Sequence, residues 1–192
     1  MKTEKEIRLI NTPDIRSETN AEGETIVRGY AAVFGEESED LGGFKEIIHR
    51  DAFNDVLTDD VVYLFNHDNN IVFGRTTSGT LKLSVDDRGL MTEVTMPNTS
   101  QANDVIELMK RGDINKMSFG FYIERDKWAE TSDGSLVREV LEVKRLVDTS
   151  LVTRPAYPQT SAALRSLDTF QNGNISRMQL RQNKLRILKL KK

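Results

Sequence analysis

Ser118, His67 and Asp148 are the residues whose types and settings could together do nucleophilic chemistry. The stretch Lys116-Met117-Ser118-Phe119-Gly120-Phe121 follows a predicted helix end and opens a predicted strand. Alternation puts Met117, Phe119, Phe121 and Ile123 on one face and Ser118, Gly120 and Tyr122 on the other. A small hydroxyl thus points away from an apolar wall, beside a glycine that leaves room for an approaching group. The same pattern also describes a serine on the solvated face of an ordinary half-buried strand. A hydroxyl is a weak nucleophile until a base takes its proton, most often an imidazole oriented by a third group. The chain has two histidines, His49 and His67. His67 follows a strand within the polar run Asn66–Asn70, and Asp148 lies near the end of another strand. Spacing alone does not bring three strand ends together, and rivals stay open. Lys116 shares the face of Ser118 and suits a Ser–Lys dyad, and Asp68 could orient His67, although adjacent residues seldom face each other. His49 reads as a surface or packing residue, and Glu142 and Lys144 as a solvated face. His67 with Asp68 would be half a metal site, with no further histidine at suitable spacing.

The elements that must position these groups are mostly short strands. A strand with an internal glycine is predicted over 25–35, a short one over 44–48, and a β-branched and aromatic one over 61–65. A hairpin is expected over 80–96 around Asp86-Asp87-Arg88-Gly89, ended by Pro97. Short helices are expected over 50–57 and 161–167. Another is expected over about 102–111, capped by Thr99 or Ser100 and stopped by Gly112. After Ser118 the strand runs toward Trp128, turns at Ser132–Ser135 and returns to Val147. Val137, Leu141, Val143, Val147 and Leu151 are expected on the buried face of the return, and Asp148 on the polar one. The expected class is α+β and β-rich, an antiparallel barrel or sandwich with a few surrounding helices.

A chain of 192 residues is one domain with room for a substantial core. The lack of cysteine excludes disulfides, thiol catalysis and cysteine-ligated zinc. No secretion signal or membrane-spanning run is evident, so a soluble cytoplasmic protein is expected. The net charge of −3 is uneven: from Arg165 onward eight Lys/Arg face one acid, which leaves the rest of the chain at −10. A basic tail on an acidic body suggests a partner of its own.

Five segments in order resemble the prohead proteases of tailed bacteriophages, which are similar in fold to the herpesvirus assemblins. They are Gly29–Phe34, Gly43–Glu46 with Asp51–Phe53, Leu64–Asp68, Met117–Phe121 and Asp148–Pro158. The resemblance implies a herpesvirus-protease-like barrel, with His67 as base and Ser118 as nucleophile. Asp148 stands where this family usually has glutamate, one methylene longer. The assemblins place a second histidine in that role. By analogy the oxyanion donors would be backbone N–H groups around Thr153 and Arg154, since Pro155 has none.

The implied activity is that of a serine endopeptidase of capsid maturation, cleaving the scaffolding segment of the major capsid protein and then itself. Neither metal nor organic cofactor is implied. The setting is the assembling procapsid in the host cytoplasm, with no membrane. Self-association is suggested by the assemblins, which are activated by dimerisation. The rival is a non-catalytic scaffold or docking protein of the same fold. The expected organisation is a polar N-terminal segment (1–24), a protease domain (25–167) and a basic tail (168–192). Residues from about 171 to 192, through a short amphipathic helix, are expected to dock on an acidic or helical scaffold segment of the capsid protein. Nucleic acid is disfavoured because the stretch from about 171 to 192 has no aromatic residue for stacking and the body is acidic.

Overall fold

The computed structural model describes residues 4–10, 15–153 and 163–173. Ten strands and two helices make it mixed α+β and strand-rich. The strands are β1 (Glu6–Ile10), β2 (Arg16–Thr19), β3 (Thr25–Val33), β4 (Lys45–Ile48) and β5 (Val62–Phe65), followed by β6 (Asp68–Arg75), β7 (Leu81–Val85), β8 (Gly89–Thr95), β9 (Lys116–Glu130) and β10 (Leu136–Val152). Helix α1 spans Ser100–Lys110 and α2 spans 163–173.

Two sheets share one core. The first has the order β1-β9-β10-β5-β6, with β4 also paired to β10; the second has the order β2-β3-β8-β7. The expected antiparallel barrel differs from the structure on two points. Neither sheet closes on itself among the described residues, and β4 and β5 both run parallel to β10. The length of β10 makes this arrangement work: its first half carries β4 at Val137–Val140 and its last turns carry β5 at Asp148–Leu151.

Between the sheets lie Val27, Tyr63, Phe119, Phe121, Leu146 and Leu151, all essentially without exposed surface. Each fully buried apolar side chain of this size contributes about 1.5–3 kcal/mol. The predicted hairpin is β7–β8, and Thr99 caps α1 by accepting from the Ala102 N–H. Gly112, with φ of +83°, follows the helix where a left-handed residue ends it cheaply. The glycine inside β3 marks a close approach: a Cβ on Gly29 would stand 2.6 Å from the Met117 sulfur. Sheet two thereby seats the residue next to Ser118.

Four expectations differ. Residues 50–58 form successive turns rather than a helix, because their N–H groups bond three residues back, as from Ala52 to His49 and from Val56 to Phe53. Ala52, Phe53 and Val56 are buried all the same. In β10 the buried apolar residues are Val140, Val143, Leu146, Leu151 and Val152. Register shifts between 140 and 148 insert extra residues and change the facing, so strict alternation misplaces Leu141 and Val147. The second helix runs to 173, across the expected boundary at 168, and Phe170 stacks on Trp128 at 5.4 Å. At the other end, β1 lies inside the main sheet although composition set residues 1–24 apart. The tail beyond 173 lies outside the described residues, as does Arg154.

Candidate active site

Strand pairing brings the three candidate residues together. β9 and β10 are antiparallel neighbours, with Ser118 directly opposite Ser150 and Gly120 directly opposite Asp148. Directly opposite residues share a face, so Ser118, Ser150 and Asp148 point to the same side. On the far side of β10, β5 ends at Phe65, and the chain reverses to β6 through Asn66 and His67 alone. Both turn residues have positive φ, 52° and 58°, as a two-residue hairpin turn of type I′ requires. A histidine in that conformation is strained by the order of 1 kcal/mol or more and persists only when its surroundings hold it. Here they do. The Asn66 N–H donates to the Leu151 carbonyl at 2.8 Å, and the His67 N–H to Ser150 Oγ at 3.2 Å. The Thr153 N–H donates to Asn66 Oδ1 at 3.0 Å.

The imidazole spans its two partners. Its Nδ1 meets Asp148 Oδ1, and its Nε2 lies 2.7 Å from Ser118 Oγ. An ionised carboxylate only accepts, so Nδ1 carries the proton and Nε2 is left to accept from the serine hydroxyl. Burial pushes the Asp148 carboxyl up, but the hydrogen bond and charge of His67, and then those of Lys5, outweigh it. The group is held below its ordinary value. The Lys5 ammonium is 2.5 Å from Asp148 Oδ2. Gly120 makes room for this: a Cβ there would lie 2.4 Å from Lys5 Cε and 2.5 Å from Asp148 Oδ2. A half-buried, oriented imidazole between a hydroxyl and a carboxylate is equipped for acyl transfer.

The rivals fall away on their contacts. Lys116 is not a partner of the Ser118 hydroxyl, which faces His67 and the Arg8 carbonyl, the latter at 2.8 Å. Asp68 accepts from the Asn70 N–H instead of orienting His67. His49 is an exposed partner of Asp51, and Glu142 an exposed partner of Arg125. Thr153, expected as an oxyanion donor, has its N–H committed to Asn66.

Three participants were not among the expected site residues: Ser150, Lys5 and the Arg8 carbonyl. Ser150 was legible, being two residues from Asp148 and so on its face. Lys5 and the Arg8 carbonyl were not, because a polar N-terminal segment carries no local sign that it returns to the site.

Comparison with known proteins identifies the family of the chain. The family model described as the caudovirus prohead serine protease matches residues 11–173. The prohead protease of Enterobacteria phage HK97 is 30% identical over 149 residues, covering 74% of this chain. That match spans 61% of the relative's own length. Among solved structures, the capsid assembly protease of bacteriophage T4 superposes with a TM-score of 0.50 over 81% of this chain and all of that one, at 11% identity. That likeness is one of fold. With the family model covering most of its length, the chain belongs to the caudovirus prohead serine proteases.

Proposed function

We propose that this protein is a serine endopeptidase of prohead maturation. The observation that carries the reading is the placement of His67, with Nε2 at Ser118 Oγ and Nδ1 on Asp148. In this reading Ser118 attacks the scissile carbonyl while His67 takes its proton. The tetrahedral intermediate collapses to an acyl-enzyme as His67 returns that proton to the leaving amine. Water then repeats the sequence and releases the acid. Asp148 keeps the proton on Nδ1 and stabilises the imidazolium, and the shorter side chain relative to glutamate suffices because Gly120 lets β9 and β10 carry it close. For the oxyanion the reading retains the backbone around Arg154, since the Thr153 amide is occupied.

The proposed substrates are the scaffolding segment of the major capsid protein and the protease itself, inside the assembling shell in the host cytoplasm. Membership of the family supports this choice. One observation favours the non-catalytic rival: Ser118 has no exposed surface. Co-incubation of the purified chain with its capsid protein, beside Ser118→Ala, separates the two. Products that appear with the parent and vanish in the variant support the protease. Assembly effects without cleavage support the scaffold.

A further inference from the structure

The nucleophile is covered by the chain's own N-terminal strand. β1 lies antiparallel on the outer edge of β9, with Leu9 directly opposite Ser118. The Arg8 carbonyl accepts from Ser118 Oγ at 2.8 Å. An extended segment added to a sheet edge, with a peptide carbonyl against the serine, is how a protease would receive a peptide. The contact also bears on reactivity. Ser118 has one hydroxyl proton, and two acceptors compete for it, the Arg8 carbonyl and His67 Nε2.

The side chains of β1 are held as selectively as its backbone. Arg8 donates to both oxygens of Glu46, from Nε at 2.6 Å and Nη2 at 2.8 Å. A two-pronged contact of this kind is specific for a guanidinium. Glu6 accepts from Arg138 Nη1 at 2.9 and 3.1 Å. The receiving charges do not depend on β1 alone. Glu46 and Arg138 lie 3.4 Å apart, and Arg138 Nε also holds Asp126 at 2.7 Å. When β1 leaves, neither is stranded without an opposite charge, the situation that makes a buried ion costly.

We propose that the β9 edge from Met117 to Phe121 is the substrate groove, and that β1 occupies it as an internal substrate mimic. Glu46 and Arg138 then select a peptide with a basic side chain in the place of Arg8 and an acidic one two positions earlier. This rests on the serine protease reading above and adds to it a groove, an occupant and a specificity.

The test uses the full chain and a fluorescent peptide of the β1 sequence, Lys-Glu-Ile-Arg-Leu-Ile. Two variants weaken β1, Arg8→Met by its side chain and Leu9→Pro by its backbone pairing, each checked for folding by circular dichroism. In a Ser118→Ala background, peptide anisotropy should show at least tenfold tighter binding to the weakened chains than to the parent. A peptide with the Glu and Arg exchanged should bind at least tenfold more weakly, and Glu46→Gln should erase that preference. With Ser118 intact, a fluorophosphonate should label the weakened chains at least tenfold faster than the parent, and the β1 peptide should slow labelling. Equal peptide binding by parent and weakened chains, or no preference between the two peptides, overturns the proposal. So does unfolding of both variants, which would make β1 an indispensable structural strand. Peptide binding with the stated preference but no labelling of Ser118 in any chain would uphold the groove and refute the catalytic reading instead.

Discussion

Two groups of ion pairs, one in each sheet, are built from the same kinds of side chain in opposite surroundings. On the four-stranded sheet Arg28 of β3 reaches Glu93 of β8 at 2.7 Å and also meets Glu18 of β2, while Lys82 reaches Glu93 at 3.1 Å. These side chains are all at least 27% exposed. On the six-stranded sheet Glu6, Arg8, Glu46 and Arg138 are each 4% exposed or less. Burial disfavours the charges on Arg8 and Arg138, yet their glutamate partners outweigh it and hold both above their ordinary values. Water screens the first group and makes it nearly dispensable. In the second group, each charge needs an opposite charge close by. Apolar replacements often do as well for stability at such sites, so stability alone does not explain four buried charges where β1 meets the body. Recognition of one particular strand does.

The largest expected effect concerns the third buried acid of that sheet, Asp148. Asp148→Asn should lower kcat for capsid-protein cleavage by about 10⁴ with the fold intact, because the amide lets the wrong imidazole nitrogen carry the proton. A rate close to the parent's would remove Asp148 from the site. The same variant has a signature in acid. The folded Asp148 is held below its ordinary value, so its contribution is complete above the unfolded value near pH 4. It is lost as pH falls through the lower folded value. The parent's melting temperature should therefore drop more steeply than that of Asp148→Asn below about pH 4.

Next in size is Glu46→Ala, which takes from Arg8 its two-pronged partner and leaves it Glu6 alone, so the cost in urea unfolding should lie toward the lower end of about 3–5 kcal/mol. Adding Arg8→Met should recover part of that loss, since the second change removes a buried charge left with one partner in place of two. A smaller effect, about 1–3 kcal/mol by the same measurement, is expected for Gly120→Ala, whose methyl collides with Lys5 and Asp148. Its activity should fall by more than its stability suggests, because the collision displaces a carboxylate that must stay on His67. The smallest is Arg28→Ala, at about 0.2–1 kcal/mol and shrinking with added salt. If Arg28→Ala proves as damaging as Glu46→Ala, the contrast between the two sheets is not one of burial.

What could be read from residue order was local. The apolar face of β9, the β7–β8 hairpin and the Thr99 cap of α1 each follow from short-range periodicity or a single side-chain bond, and each is where it was expected. The same local reading set Ser118 opposite an apolar wall, and the resemblance of five segments pointed to His67 and Asp148. Tertiary structure decided the rest. Whether three strand ends meet depends on which strands are neighbours, and the parallel placement of β5 beside β10 is a pairing between residues more than eighty positions apart. The irregular facing of β10 follows from register shifts against β9, which no alternation in β10 itself encodes. Residues 50–58 bury the expected side chains in turns rather than a helix, because burial selects which groups face inward and leaves the backbone its choice. β1 shows the same limit most plainly. Its part in the site is made by a backbone carbonyl, a group every residue carries, so only the folded chain could place the Arg8 carbonyl against Ser118.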